Sequence, residues 1–281
     1  MKRCCLITGA SQGLGRELAR AFWIDGWNLL LVSRSPLDET MAALGHRTDQ
    51  VVYPIAADLG EAGAAERIIS EVATRTERID VLINNAAIQG PVGPAWTGDW
   101  NLWEATFRIN LLAPIELCRA VLPAMIRNGG GSIINLSGGG AAGPRPNFSA
   151  YAAAKAALVR FSETLSAETK AHGILVNCVA PGAMNTAMLR SVLDLGPDVI
   201  GRQEHAAAAK VVAGRGGAQD AVSLCLFLAS SEAAGITGKL ISAVWDDWSR
   251  WPEHRDALAE GDLYTLRRIT ARDRGLGWGD K

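Results

Sequence analysis

The sequence predicts an α/β chain built on a doubly wound parallel sheet, and three observations carry that expectation. Short apolar runs recur along the chain. Segments of helical periodicity, ten to twenty residues long, separate most of them. The first run, Cys4–Thr8, feeds a glycine-rich turn, Gly9 to Gly15, that opens a helical pattern (Leu14, Leu18, Ala21, Phe22). Further strands are expected at 29–32, 51–55, 81–83, 132–136, 174–179 and 239–244, with helices following 59, over 107–126, over 150–170 and over 218–228. No low-complexity linker or fixed-period repeat divides the 281 residues. The expected organisation is therefore one domain over 1–244, with a C-terminal extension over 245–281. Within the domain, residues 183–216 form a long connection with scattered apolar positions, expected as a lid over a site at the sheet's C-terminal edge.

Composition narrows the function classes. Lys and Arg number 28 against 29 Asp and Glu, a formal net charge of -1, so no polyanion partner is expected and nucleic acid is set aside. The first apolar run is too short for a secretory signal and no run of eighteen apolar residues is seen, so no membrane span is expected. Cys4, Cys5, Cys118, Cys178 and Cys225 lack C-x-x-C spacing and sit mostly in apolar runs. They read as buried free thiols of a reducing compartment, and the location as cytoplasmic. His46, His172, His205 and His254 are not paired at ligand spacing, so no metal is expected.

The glycine turn has a chemical reading. Glycine admits backbone angles and close approaches that a Cβ blocks, and the helix behind it presents unpaired N–H groups suited to a pyrophosphate. The pair Tyr151 and Lys155, four apart on a helix, shares one face. An ammonium beside a phenol favours the phenolate, so Lys155 is expected to lower the Tyr151 pKa and make it a general acid or base near neutrality.

Taken together, Thr8-Gly9-x-x-x-Gly13-x-Gly15, Asn84-Asn85-Ala86, Asn110, Tyr151-x-x-x-Lys155 and Pro181-Gly182 followed by Thr186 resemble the short-chain dehydrogenase/reductase family in order and spacing over residues 1 to 244. The resemblance implies a Rossmann-like fold and an oxidoreductase moving hydride between a nicotinamide cofactor and a secondary alcohol or ketone. It places the pyrophosphate at Gly9, Ser11, Gln12, Gly13, Leu14 and Gly15, and the adenine at Asp58 and Leu59. The adenine ribose falls at Asn84, Asn85, Ala86 and Ala87, and the nicotinamide at Pro181, Gly182 and Thr186. Tyr151 becomes the acid/base, Lys155 also holds the nicotinamide ribose, and Asn110 anchors a water leading from Lys155. Where an acidic residue would grip the adenosine ribose at the end of the second strand, this chain has Ser33 and then Arg34, whose guanidinium suits a 2′-phosphate. NADP(H) is favoured, with NAD(H) the alternative.

One departure stands out. The family places a serine thirteen residues before the tyrosine to hold the substrate oxygen, and that position is Gly138, with Ser137 one place early and Gly139 and Gly140 following. Ser137 is a candidate substitute if the glycines let the backbone twist; on a regular strand it faces away. The expected substrate wall comprises Gly138, Gly139, Arg145, Phe148, Met184 and Met188. Arg145 is read either as a seat for an anionic or sugar-like substrate or as a brace for its loop. Gln89 to Trp96 is expected as a second wall. Trp96, Trp100 and Trp103 are read as stacking on a ligand ring or as core and interface packing. The extension, with Trp245, Trp248, Trp251 and Trp278 and a helix candidate over 252–260, is expected either to close the pocket or to reach a neighbouring subunit of a homodimer or homotetramer. Two other classes stay open: a nucleotide-binding scaffold with little turnover, and a same-fold epimerase or dehydratase.

Overall fold

The computed structural model describes residues 2–214 and 217–278. Seven strands form one wholly parallel sheet in the order β3-β2-β1-β4-β5-β6-β7. They are β1 (Cys4–Thr8), β2 (Asn28–Ser33), β3 (Val52–Ala56), β4 (Val81–Asn84), β5 (Gly131–Leu136), β6 (Ile174–Ala180) and β7 (Leu240–Ser242). The chain winds outward from β1 in one direction to β3, then returns to β4 and winds the other way. The C-terminal ends of β1 and β4 therefore diverge, and that crevice is where an open α/β sheet binds its ligand.

Helices cover both faces because buried parallel strands are apolar on both sides. On one face, α1 (Gly13–Ile24), α2 (Asp38–Leu44) and α10 (Gln219–Leu228) pack Leu18, Phe22, Leu224 and Leu228 against Ile7, Leu29 and Ile134. On the other, α3 (Ala64–Ala73), α5 (Ala113–Arg127) and α6 (Ser149–Thr169) set Ile68, Leu117, Val121 and Leu165 against Leu6, Leu30 and Ile133. Helix α2 was not expected from the sequence; Asp38 and Glu39 in its first turn and Gly45 (φ 66°) at its end are its start and stop signals.

The helix expected over 107–126 begins earlier. α4 (Trp100–Phe107) is capped by Asp99, whose carboxylate accepts from the Asn101 N–H at 2.9 Å, and it runs through a π-turn at Arg108–Leu112 into α5. By length and composition this 28-residue stretch would suffice to cross a membrane, a segment the sequence reading did not foresee. Here Leu117, Cys118, Val121 and Met125 are fully buried beneath α3 and the sheet.

Residues 183–214 are helical rather than irregular: α7 (Ala187–Leu193), α8 (Pro197–Ile200) and α9 (Arg202–Ala213). Positions 215 and 216 of the expected lid lie outside the described residues. The described part of the extension packs on its own sheet. Trp251 and Leu258, from α11 (Arg255–Glu260) and the turn before it, enter the α10 side of the core, and the Tyr264 carbonyl accepts from the Leu240 N–H at 2.7 Å, covering the edge of β7. None of residues 245–278 borders the cleft described below, so that part does not close the pocket; residues 279–281 lie outside the described residues. Trp251 is buried and Trp248 packs on Phe227, while Trp245 and Trp278 are exposed on this chain. All five cysteines are buried free thiols.

Glycine is obligatory where β1 turns into α1. A Cβ on Gly15 would lie 2.1 Å from the Gly9 carbonyl oxygen, and one on Gly9 (φ 67°) 2.9 Å from the Ala86 Cα. Both obstacles are backbone and cannot rotate away. Gly15→Ala is expected to lower stability by about 3 kcal/mol or more, seen as a fall in Tm on the order of 10 °C. An unchanged melting temperature would show that the turn has slack.

Candidate active site

A cleft runs along the sheet's C-terminal edge from the end of β2 to α6, and the glycine turn forms its floor. Thr8, the last residue of β1, organises that floor: its Oγ1 accepts from the backbone N–H groups of Asn85 and Ala86, each at 3.0 Å. Asn85 returns its side-chain amide to the carbonyls of Thr8 (2.9 Å) and Gly9 (3.2 Å). The first turn of α1 carries no side-chain cap, so its N–H groups stay free for an acceptor at Gly13. This cradle, too tight for any Cβ at Gly9 or Gly15, fits a pyrophosphate.

Gly9, Ser11, Gln12, Gly13, Leu14, Asn85, Ala86 and Ala87 border the cleft, while Gly15 lies beneath it. At one end stand Ser33, Arg34, Asp58 and Leu59. The Ser33 hydroxyl accepts from the Ser35 N–H at 3.1 Å. Asp58 accepts from the Gly60 N–H at 2.8 Å and faces Arg34 at 3.4 Å, so it both caps its turn and meets the guanidinium. At the other end stand Tyr151, Lys155, Pro181, Met184, Thr186 and Met188. The Thr186 hydroxyl caps α7, accepting from the Leu189 N–H at 3.3 Å. Gly182 lies behind the cleft against Val244. Ile88, Ile109 and Ala187 also border it and were missed, since single apolar residues in loops carry no pattern.

Tyr151 and Lys155 lie one turn apart on the inner face of α6, both buried. The Lys155 ammonium donates to the Leu136 carbonyl at 2.7 Å and sits 5.7 Å from the Tyr151 ring centroid. The expected electrostatics require correction. Burial pushes the Tyr151 phenol up, and the charge that pulls it back is Arg145, not Lys155. Burial also pushes Lys155 down to about 8, and its ammonium is drawn toward a carbonyl rather than the phenol. Asn110, in the π-turn, exchanges two hydrogen bonds with the backbone of Ile88 (2.8 and 2.9 Å) and so fixes the loop after β4.

The substrate wall departs most from expectation. A Cβ built on Gly138 would lie 2.6 Å from the Tyr151 hydroxyl oxygen, so the tyrosine fills the space a side chain there would take. Ser137 borders the cleft, yet its Oγ is buried without a partner. The ladder continues through it (Ser137 N–H to the Val179 carbonyl, 2.8 Å), which keeps it on the side of Asn135. Asn135 reaches the Ser162 hydroxyl of α6. The three glycines do not turn the Ser137 hydroxyl into the cleft. Phe148 is fully buried among Val192, Ile200 and Val92 and does not line the cleft. Arg145 stacks over the Phe148 ring, 3.8 Å from its centroid, and is ion-paired with Glu204, so it braces its loop against α9. A Cβ built on Gly139 would lie 3.6 Å from the Arg145 Cδ, so that glycine faces the arginine stem rather than the cleft. Trp100 stacks on Trp103, and Trp103 on Phe107. Trp96 and Trp100 are exposed rather than core.

Comparison with known proteins agrees with this geometry. The short chain dehydrogenase family matches residues 3–194. The chain belongs to that family. It is 30% identical over 241 residues to dehydrogenase/reductase SDR family member 4 of Homo sapiens, covering 85% of each chain. It is 32% identical over 242 residues to the 3-oxoacyl-acyl-carrier-protein reductase of Escherichia coli, covering 85% of this chain and 94% of the other. The structure resembles that of YwfH, an NADPH dependent reductase involved in bacilysin biosynthesis, with a TM-score of 0.77 and 27% identity over 86% of this chain and 97% of that one. The protein is therefore an NAD(P)-dependent oxidoreductase acting on small molecules.

Restoring a side chain at position 138 sets a sharp test of the tyrosine's position. Gly138→Ser must displace the Tyr151 hydroxyl, and turnover is expected to fall by about 10²-fold with cofactor affinity unchanged. A rate equal to or above wild type would show that the tyrosine accommodates the serine.

Proposed function

We propose that this chain is an NADP(H)-preferring carbonyl reductase, interconverting a ketone and a secondary alcohol with Tyr151 as the proton donor. The observation that carries this reading is the Tyr151 hydroxyl at the end of a cleft whose other end presents Arg34 and whose floor is the glycine cradle. When bound, a nicotinamide dinucleotide supplies or accepts the hydride equivalent at its C4 carbon.

The remaining work falls to the protein's own groups. Gly9, Gly13 and the N-terminus of α1 hold the pyrophosphate, and Gly15 permits the close turn beneath it. Asn85, Ala86 and Ala87 line the adenine ribose, and Asp58 and Leu59 the adenine. Pro181, Gly182 and Thr186 shape the nicotinamide end. Lys155 holds the nicotinamide ribose, and Asn110 fixes the Ile88 loop over it. Tyr151 hydrogen-bonds the carbonyl oxygen and gives up its proton as the carbonyl carbon gains hydride: the π bond is lost, and C–H and O–H bonds form. Met184 and Met188 cover the substrate. Since Gly138 brings no hydroxyl and that of Ser137 is enclosed, Tyr151 alone serves the oxygen. With its phenol held up by burial, Tyr151 is protonated and ready to donate at neutral pH. The buried thiols favour a cytoplasmic setting, and the family resemblance a homodimer or homotetramer.

Two measurements test this reading. Arg34 is exposed and linked to Asp58 by a single 3.4 Å contact, so it can turn to a 2′-phosphate at little cost. By fluorescence titration NADPH is expected to bind more tightly than NADH, and Arg34→Ala to weaken NADPH by about tenfold or more with NADH unaffected. Equal affinities for the two would reject the preference. Tyr151→Phe is expected to abolish turnover in both directions. Reduction by the wild type needs the protonated phenol, so its rate is expected to hold through neutral pH and fall only in alkaline solution. Alcohol oxidation needs the phenolate and is expected to rise with pH over the same alkaline range. Full activity of the Phe variant, or a reduction rate that climbs with pH, would remove Tyr151 from the role.

A further inference from the structure

Just behind the cleft's reacting end, outside its lining, stands a cation that the chemistry above does not use. Arg145 belongs to the loop between β5 and α6. Its side chain fills the space a Cβ on Gly139 or Gly140 would face, 3.6 Å to its Cδ and 3.2 Å to its Cβ, next to Gly138, where a Cβ would meet the Tyr151 hydroxyl. It is the charged group that acts on the phenol. Left alone, a guanidinium there would make a ready seat for a carboxylate or phosphate on the substrate. It is not left alone. Its Nε donates to Glu204 Oε1 at 3.2 Å, and its Nη2 meets the same oxygen. Both side chains are largely withdrawn from water, 19% and 32% exposed, where screening is weaker than on an open surface. The Phe148 ring covers the guanidinium face, 3.8 Å away at its centroid. Phe148 in turn packs on Val192 of α7 and Ile200 of α8, which precede α9 and its Glu204, so this run of short helices holds both partners of Arg145.

The rest of the reacting end is apolar or already committed. Ile88, Met184, Ala187 and Met188 are uncharged, and Lys155 is drawn to the Leu136 carbonyl. Arg34 and Asp58 stand at the opposite, adenine end.

From this we infer that Glu204 is a specificity-determining residue: by engaging Arg145 from the lid, it commits the site to uncharged carbonyl substrates and excludes those bearing a carboxylate beside the carbonyl. An anionic substrate must either displace Glu204 from Arg145 or approach its carboxylate, and both cost binding. The inference rests on the carbonyl-reductase reading and names the substrate class of that same site.

Matched ester and acid pairs test it: ethyl 2-oxopropanoate against 2-oxopropanoate, and ethyl 3-oxobutanoate against 3-oxobutanoate, each with NADPH. The wild type is expected to favour the ester in kcat/KM by about 10²-fold. Glu204→Gln keeps the side-chain size and hydrogen bonding but removes the charge, and is expected to shrink that ratio by about tenfold or more, chiefly through a lower KM for the acid. Loosening the lid would also change rates, so Arg145→Gln/Glu204→Gln serves as the second variant. It lacks both charges and is expected to return to ester preference, whereas a gain due to a loosened lid would persist in it. Benzoate titrated calorimetrically into the NADPH complex gives a readout independent of turnover. Binding is expected to Glu204→Gln and to neither the wild type nor the double variant.

Equal kcat/KM for ester and acid in the wild type, an ester preference unchanged in Glu204→Gln, or no benzoate binding to Glu204→Gln would overturn the inference. Failure of the carbonyl-reductase reading shows differently, as turnover that survives in Tyr151→Phe.

Discussion

Everything at the site depends on how closely β1 and β4 are tied where the sheet's winding reverses. Two strands that diverge in topology must still present one continuous floor. Here the link is made by Thr8 and Asn85, each reaching across to the other's backbone. Gly9 and Gly15 let the turn fold back on itself until a carbonyl oxygen occupies the place of a Cβ. The clamp fixes the start of α1, and so the direction of its free N–H groups. It also fixes the loop after β4, which Asn110 holds from the other side through both polar groups of Ile88. The π-turn carrying Asn110 belongs to the same construction: a local widening of a long helix places one amide over a loop that the regular helix repeat does not address.

A second buried network supports the reacting end. Asn84 donates to Asn135 at 2.8 Å, and Asn135 to Ser162 at 2.8 Å, joining β4, β5 and α6 beneath the cleft. Such groups are costly to bury unless paired. Pairing them across three elements sets the height of α6 against the sheet, and with it the depth at which Tyr151 and Lys155 stand. Lys155 completes the tie by donating to the last carbonyl of β5.

Much of this was legible in the sequence, for identifiable reasons. All seven strands lie within a residue or two of their expected places, since apolar runs bounded by turns leave little choice in a parallel sheet. The glycine turn and the Tyr151–Lys155 pair were legible because their geometry is local, a turn within seven residues and two side chains one helical turn apart. What escaped depends on contacts between distant segments. The lid appeared as a loop, since α7, α8 and α9 are short or weakly amphipathic, and only packing on Phe148 orders their apolar positions. β7 stops at Ser242, before the expected end, because Asp246 turns back to cap the Ser242 N–H at 2.7 Å. The start of α4 was hidden among tryptophans read for their rings rather than for their i, i+3, i+7 spacing. Glu204, 59 positions from Arg145, had no sequence signal tying the two together.

The electrostatics of the pair follow from depth rather than from mutual attraction. One cause, burial, raises the phenol and lowers the ammonium, so both groups are pushed toward their neutral forms. A phenol held up in this way keeps its proton at neutral pH; it is a weaker acid than a free tyrosine, and its phenolate forms only in more alkaline solution. The glycine at 138 fits the same logic. A Cβ there would lie 2.6 Å from the Tyr151 hydroxyl oxygen, so the buried tyrosine occupies the space a side chain would need. The bare glycine and the buried phenol are thus two sides of one packing arrangement, since a side chain at 138 and the tyrosine hydroxyl cannot share the same space.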